Sequence, residues 1–215
     1  MRPRLKICCI ASVEEARIAI AAGADAVGLV AEMPSGPGPI ADALIAEIAA
    51  SVPPPVSRFL LTSRTDTAGI IAHVQAARVD TVQLVDAVAM AVYGVLRQAL
   101  PALRIVQVLH VESEQSLADA QRVAPEVDAI LLDSGRPNAV VRELGGTGRT
   151  HDWRLSRRIA RTCGRPVFLA GGLNENNIAD AISQVRPYGL DLCSSVRTDG
   201  RLDADKLARL VAAIA

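Results

Sequence analysis

Aromatic side chains are nearly absent from this chain, with one Trp, two Tyr and two Phe among 215 residues. Single-stranded nucleic acid binds on stacked aromatic platforms, so that function class is not expected. Excess charge of either sign is also missing, since 23 basic residues meet 23 acidic ones and no basic run stands out. Nucleic acid of any kind is therefore an unexpected partner. No apolar run reaches the roughly 18 residues a membrane span needs. The opening Met-Arg-Pro-Arg-Leu-Lys is not followed by a long apolar region, so a secretion signal is not expected either. Cysteine is sparse: Cys8, Cys9, Cys163 and Cys193 show neither zinc-site spacing nor a CxxC motif. Reduced thiols and a cytoplasmic setting follow as expectations. The three histidines (His73, His110, His151) sit in unrelated segments, so no metal is expected.

What the chain does have is apolar aliphatic sequence, half of all residues counting as hydrophobic. These residues fall into short β-prone runs alternating with Ala-rich helical segments. The strand candidates are Leu5–Ile10, Ala26–Ala31, Ser57–Thr62, Thr81–Val85, Arg104–His110, Ala129–Asp133, Pro166–Ala170 and Leu190–Ser194. Helical periodicity marks Val13–Ala22, Ile40–Ala50, Asp66–Ala77, Ala87–Leu100, Glu112–Val123, Trp153–Cys163, Asn176–Val185 and Asp203–Ile214. Strand followed by helix, repeated without a linker, predicts a parallel sheet. The repeat predicts a single-domain α/β (β/α)8 TIM barrel over residues 1–215, at the small end of its size range. An open doubly wound sheet would favour a glycine fingerprint after the first strand, and Cys8-Cys9-Ile10-Ala11-Ser12 is not one.

Two glycine clusters suggest a ligand. Gly145-Gly146-Thr147-Gly148 follows the sixth strand, with Asp152-Trp153 beyond it, and Ala170-Gly171-Gly172-Leu173-Asn174 follows the seventh. Glycine permits close backbone approach, and a helix N-terminus offers unpaired N–H groups to an anion. Barrel active sites lie at the C-terminal ends of the strands, and phosphate often sits in the loops after strands seven and eight. The chain is expected to hold one phosphate among Gly146, Thr147, Gly148, Gly171, Gly172, Ser194 and Ser195. A phosphorylated small molecule is the expected ligand.

Polar residues at strand ends supply candidate chemistry. Alternation along the first strand places Lys6, Cys8 and Ile10 on one face, with Ile7 and Cys9 on the other. Asp133 closes the apolar sixth strand, an unfavourable place unless it meets solvent, a partner or a substrate. Cys8 reads either as a small hydrophobe or as a base, and Asp133 either as a turn cap or as an acid. Lys6 is expected to neutralise an inward carboxylate, with Asp191 the candidate, while Asp25 and Asp128 read as turn residues.

Taken in order, Lys6-Ile7-Cys8, Val82-Gln83-Leu84, Leu131-Leu132-Asp133-Ser134, Gly145-Gly146-Thr147-Gly148, Asp152-Trp153 and Leu169-Ala170-Gly171-Gly172-Leu173 form a pattern. Asn174, Asn176 and the Asp191/Ser194 strand complete it. The chain resembles the phosphoribosylanthranilate isomerases of tryptophan biosynthesis across essentially its full length. The resemblance implies an Amadori rearrangement of an N-(5'-phosphoribosyl) amine. The position matching the family's general acid is Asp133, which would protonate the ribose ring oxygen. The position matching its general base is Cys8, which would take the proton from C2′. Substrate contacts are implied at Gln83 and Asn174, no cofactor is needed, and members are monomers or homodimers.

The acid, the base and the two main phosphate loops remain, while the departures change the surroundings of the amine substituent. The family's Lys-Ile-Cys-Gly reads Lys6-Ile7-Cys8-Cys9 here, its Gln-Leu-His-Gly reads Gln83-Leu84-Val85-Asp86, and its Ser-Gly-Val-Glu reads Ser194-Ser195-Val196-Arg197. Its Ser-Pro-Arg loop, whose arginine is associated with the anthranilate carboxylate, becomes Met33-Pro34-Ser35-Gly36-Pro37, and no Lys or Arg occurs between Arg17 and Arg58. Arg64, Arg149 and Arg197, on other loops, are the candidate cations to take its place. A different phosphoribosyl amine, or phosphosugar binding without turnover, are the competing readings.

Overall fold

Apolar and small residues alternate along each short run, and that alternation gives every strand two buried faces. The computed structural model describes residues 2–135 and 151–214. Its barrel strands are β1 (Arg4–Ile7), β2 (Ala26–Val30), β3 (Ser57–Thr62), β4 (Thr81–Leu84), β5 (Arg104–His110), β6 (Ala129–Asp133), β7 (Val167–Leu169) and β8 (Gly189–Leu192). They pair in parallel in sequence order, and β8 pairs back onto β1, closing the barrel. Outside lie α1 (Val13–Ala21), α2 (Asp42–Ser51), α3 (Thr67–Ala77), α4 (Met90–Ala99), α5 (Gln115–Val123), α6 (Trp153–Thr162), α7 (Ile178–Val185) and α8 (Ala204–Ala212). The fold is the (β/α)8 barrel expected from the sequence.

Two apolar shells result. The outer shell, between sheet and helices, takes the outward residues such as Leu5, Ile7, Val27, Leu29, Leu60, Leu132 and Leu190. The inner shell takes Cys8, Ala26, Val30, Phe59, Leu61, Val106, Val108, Leu131 and Phe168. Strand register sorts the interior by size. Ala26, Thr81, Ala129 and Gly189 form the level nearest the N-terminal end, and Lys6, Phe59, Val106 and Phe168 stand above them. Small residues below make room for rings above: a Cβ added to Gly189 would lie 2.5 Å from Cε1 of Phe168. Phe59 and Phe168 meet edge to face with centroids 6.1 Å apart, and the Lys6 ammonium lies 5.3 Å from the Phe59 centroid.

The N-terminal rim is clipped by a repeated device. Asp25, Asp80 and Asp128 each precede an even-numbered strand and accept a backbone N–H from the preceding odd one. The donors are Leu5 at 2.8 Å, Arg58 at 3.1 Å and Ile105 at 2.8 Å. Each carboxylate also meets an arginine at the start of that odd strand: Arg4, Arg58 and Arg104. Asp25 and Asp128, read from the sequence as turn residues, thus tie neighbouring strands together.

Element limits moved where local geometry overrides pattern. β1 stops at Ile7 rather than Ile10, because Cys9 adopts φ +62° and reverses the alternation. Ile10 therefore joins Ile7 in the outer shell, while Cys9 joins Cys8 in the inner one. This corrects the expected pairing of Ile10 with Cys8 on one face. β8 ends at Leu192, and Ser194–Val196 form a 3-10 turn instead of strand. A hairpin of β9 (Arg197–Thr198) and β10 (Arg201–Leu202) follows, turning through Asp199 (φ +49°) and Gly200 (φ +77°). Asp-Gly is a strong hairpin signal, and it stood in the sequence unread.

Candidate active site

Lys6, inward-facing on β1, is fully buried and needs a partner. Its ammonium donates to Asp191 Oδ1 on β8 at 2.8 Å, the pairing expected from the sequence. Burial opposes its charge, but Asp191 and the neighbouring thiols outweigh that and raise its pKa. Burial likewise raises the Asp191 carboxyl against the pull of Lys6.

Cys8 follows on the same inner face, buried, with its backbone N–H on the Leu192 carbonyl at 2.8 Å. Gly28 on β2 makes room for it. A Cβ there would lie 3.1 Å from Cys8 Sγ, Cys8 Cα and Lys6 Nζ alike. Cys9, at the position where the resembled family has glycine, holds the left-handed conformation at a cost of about 1 kcal/mol. Arg197 holds this segment from outside the cavity. Its guanidinium donates to the carbonyls of both Cys8 and Cys9 and pairs with Glu15 at 3.1 Å. Glu15 in turn accepts the backbone N–H groups of Ala11 at 2.9 Å and Leu202 at 2.9 Å. Burial pushes Glu15 upward, but Arg197 and these two N–H groups pull it further down, leaving its pKa lowered.

Asp133 ends β6, separated from β1 by β7 and β8 on the shorter way round. It is buried, and one oxygen accepts the Ser134 N–H at 2.7 Å. Burial raises its pKa to about 6, with the nearby Asp191 charge adding to the rise while Ser134 and Lys6 resist it. A carboxyl so placed titrates within about a unit of neutral pH, so its protonated form is available to deliver a proton to a substrate.

Cys8, Asp133, Gln83, Gly171, Gly172, Ser194 and Ser195 all line one cavity at the C-terminal mouth of the barrel. Gly171 (φ +82°) and Gly172 (φ +63°) are both left-handed, and a Cβ on Gly171 would lie 2.7 Å from Ser134 Oγ. α7 begins only at Ile178, so this loop bends before its helix rather than opening it directly. Asn174 is placed within the loop, not on the cavity wall. Its amide donates to the Gly172 carbonyl at 3.2 Å, and its carbonyl accepts the Asn176 N–H at 2.9 Å. Asn177 donates to the same Gly172 carbonyl at 3.0 Å, so two amides brace the glycine turn. Gly146, Thr147 and Gly148 lie outside the described residues.

Two buried polar atoms on the cavity residues have no partner among the described residues: Gln83 Oε1 and Ser195 Oγ. An unmet buried polar atom costs about 1–3 kcal/mol, which a polar ligand would offset. The wall opposite the glycine turn is apolar, made by Val30, Met33, Leu61, Val85 and Val108. No Lys or Arg is among the described residues lining the cavity. Arg197 is committed to Glu15 and to the carbonyls of Cys8, Cys9 and Gly200, Arg64 is not on the wall, and Arg149 lies outside the described residues. Among the described residues no group of three or more His, Cys, Asp or Glu is arranged to hold a metal ion. None of their helices is long and apolar enough to cross a membrane.

The family model for N-(5'-phosphoribosyl)anthranilate isomerase matches residues 5–213. The chain belongs to this family. A relative from Acidithiobacillus ferrooxidans, named N-(5'-phosphoribosyl)anthranilate isomerase, is 37% identical over 219 residues, covering 98% of this chain and 97% of the relative. The structure of phosphoribosyl anthranilate isomerase from Thermus thermophilus is similar with a TM-score of 0.82 at 27% identity, covering 98% of this chain and 97% of that one. A phosphoribosyl anthranilate isomerase solved with reduced 1-(o-carboxyphenylamino)-1-deoxyribulose 5-phosphate is similar with a TM-score of 0.77 at 26% identity, over 97% and 96% of the two chains.

Within this isomerase family member, several residues of the site escaped the sequence reading. Gly28 lay in an apolar run with nothing to mark its contact with Cys8. The Arg197–Glu15 pair and the Cys9–Cys193 contact join segments at opposite ends of the chain. Asp191 is legible in the sequence both as the carboxylate Lys6 demands and as part of the Asp191/Ser194 strand.

Proposed function

We propose that this isomerase rearranges an N-(5'-phosphoribosyl) amine by general acid–base chemistry, with Asp133 as acid and Cys8 as base. Asp133 protonates the ribose ring oxygen, and the ring opens to a Schiff base. Cys8 then removes the C2′ proton, giving an enolamine that becomes the ketone. The observation that carries this reading is Asp133 itself, a buried carboxyl raised to about 6 at the mouth that also holds Cys8. With a pKa of about 6, Asp133 is protonated in a fraction of molecules near neutral pH, far more than an ordinary aspartate, while the thiol faces the same cavity from β1. The Lys6–Asp191 pair lies beneath them and fixes β1 against β8.

The sugar phosphate is assigned to the Gly171–Gly172 turn and Ser194–Ser195, together with the Gly146–Gly148 segment. Anchoring there orients the reacting carbons with binding energy drawn from a remote group. Gln83 meets the sugar or the amine through its unpartnered oxygen. The amine substituent then lies toward Met33, Leu61, Val85 and Val108. By kinship with the relatives, that substituent is anthranilate. The site is small-molecule, and a cytoplasmic setting fits a biosynthetic isomerase of this kind.

A second version has a specific motive. The cavity wall carries no cation among its described residues, and an unmet carboxylate there would cost several kcal/mol. The version with another phosphoribosyl amine follows from that. Purified protein mixed with phosphoribosylanthranilate decides between them: conversion to 1-(o-carboxyphenylamino)-1-deoxyribulose 5-phosphate supports anthranilate. Turnover of an uncharged phosphoribosyl arylamine with none of phosphoribosylanthranilate would select the other version.

A further inference from the structure

Two thiols that the isomerase chemistry leaves unused meet at the same mouth. Cys9 and Cys193 are free, with sulfur atoms 2.7 Å apart. That is inside an ordinary non-bonded contact yet longer than the about 2.0 Å of a disulfide bond. The pairing of β1 with β8 puts them there. Ile7 is in register with Leu192, and the two cysteines follow within the next residues of neighbouring strands. Both backbones bend to turn the sulfurs together, Cys9 at φ +62° and Cys193 at φ −134°, ψ −88°. Cys193 is partly exposed and Cys9 is buried, and both line the cavity.

The two sulfurs are unlike. The hydrogen bond shared with Cys193 raises the pKa of the Cys9 thiol, with Cys8 and burial adding to the rise. The same hydrogen bond lowers the pKa of Cys193; burial opposes the fall, and the Arg197 charge assists it. A thiolate-inclined cysteine at a solvent-reached mouth, with a second thiol in contact, is the arrangement of an oxidisable nucleophile and its resolving partner.

We propose that Cys9 and Cys193 are a reversible oxidation site, closing to a disulfide at the active-site mouth with a hydroperoxide as the oxidant. The Cys193 thiolate attacks the peroxide, the O–O bond breaks, and the sulfur becomes a sulfenic acid. The departing alkoxide or hydroxide takes up the proton that Cys193 released. Cys9 sulfur then attacks the Cys193 sulfur; the S–S bond forms, the S–O bond breaks, and the oxygen leaves as water with the Cys9 proton. In sum, two thiols and one hydroperoxide give one disulfide, one alcohol or water, and one water. Two electrons pass from sulfur to the peroxide. A dithiol reverses the step through a mixed disulfide and is itself oxidised.

Closure bears on the isomerase because Cys9 is bonded to Cys8 and packed against the β2–α2 loop. A Cβ on Gly38 would lie 2.6 Å from Cys9 Cβ, and Cys9 Sγ contacts the Pro37 carbonyl at 3.5 Å. Moving the Cys9 sulfur to bonding distance shifts both neighbours, so the oxidised form turns over substrate more slowly.

The test is a hydrogen peroxide titration of fully reduced protein, followed by denaturing thiol counts and fragment-ion mapping of crosslinked peptides. The expected result is a fall from four free thiols to two, a crosslink joining Cys9 to Cys193, and recovery of all four on dithiothreitol treatment. Turnover falls in parallel and returns with the thiols. In Cys193→Ser, each measured against its own starting turnover, the dithiothreitol-recoverable loss disappears at the same peroxide dose. A map showing Cys8 oxidised to sulfinic acid with no Cys9–Cys193 crosslink would overturn the proposal. So would a Cys8–Cys9 crosslink in its place, or an unchanged recoverable loss in Cys193→Ser. The thiol map needs no substrate, so it stands or falls separately from the assignment of the reaction.

Discussion

Asp133 is a residue whose chemistry works against its own stability. Its folded pKa of about 6 lies above the 3.8 of an ordinary aspartate, so the folded protein holds this proton more tightly than the unfolded chain. The group's contribution is therefore most favourable below about pH 4 and is lost as pH rises toward 6. Asp133→Asn removes that dependence while retaining an oxygen for the Ser134 N–H. Urea unfolding of the two proteins is expected to show the variant more stable at pH 7.5, by about 3 kcal/mol at most, with the difference vanishing near pH 4. A parent more stable than the variant at pH 7.5 would contradict the raised pKa. Gly28 tests the other side of the mouth. Its φ is ordinary, so Gly28→Ala strains no backbone, yet the new methyl presses at 3.1 Å on Cys8 and on the Lys6 ammonium. Overpacking of this kind costs about 1–3 kcal/mol, offset by roughly 0.4–1 kcal/mol from the stiffer unfolded chain. The unfolding midpoint should drop slightly while kcat drops several-fold. An unchanged kcat would mean that the position of Cys8 does not matter to the reaction.

Among the elements, the β9–β10 hairpin binds β1 to α1 and gives the base its setting. Ser12 caps α1 by accepting the Glu15 N–H at 3.1 Å, and the Glu15 carboxylate reaches back to Ala11, an N-terminal capping arrangement written in Ser12-Val13-Glu14-Glu15. The same carboxylate then receives Arg197 from the hairpin. Arg197→Met leaves a buried carboxylate unpaired and removes the donor to the Cys8 and Cys9 carbonyls. Breaking a buried pair costs about 3–5 kcal/mol, and a thermal or urea midpoint should record a loss of that order at pH 7. The Glu15 pKa is lowered, so its pairing contributes above the ordinary carboxylate range and is lost as pH falls. The gap between parent and variant should accordingly shrink in acid. A gap that is constant from pH 7 to pH 3 would show that Arg197 acts through packing and not through Glu15. This element also marks where sequence pattern fails. The strand cores of β3, β5 and β6 matched their apolar runs end to end. β1 and β8 did not, because a left-handed Cys9 and a 3-10 turn at Ser194 are set by contacts between distant segments, which no local period encodes.

At the scale of the molecule, the barrel was legible because eight apolar runs and eight helical segments alternate without interruption. The site was half legible. Cys8 and Asp133 stood out as a thiol and a carboxyl at strand ends, and closure of the sheet brings both to one cavity. Asn174 stood in the right loop, but its side chain is engaged in bracing Gly172. What the sequence concealed was pairing across the closure: Lys6 with Asp191 could be guessed from charge alone, whereas Arg197 with Glu15 and Cys9 with Cys193 had no local sign. These contacts exist because β8 returns to β1, so they belong to the topology and not to either segment. The central claim is that Asp133 and Cys8 act as acid and base on a phosphoribosyl amine. Its most direct measurement is kcat/KM for phosphoribosylanthranilate in the parent, Cys8→Ala and Asp133→Asn proteins, under reducing conditions. General acid–base groups contribute about 10²–10⁴-fold, so each variant should lose at least about a hundredfold, chiefly in kcat. Parent turnover with either variant retaining it within about tenfold would contradict the account.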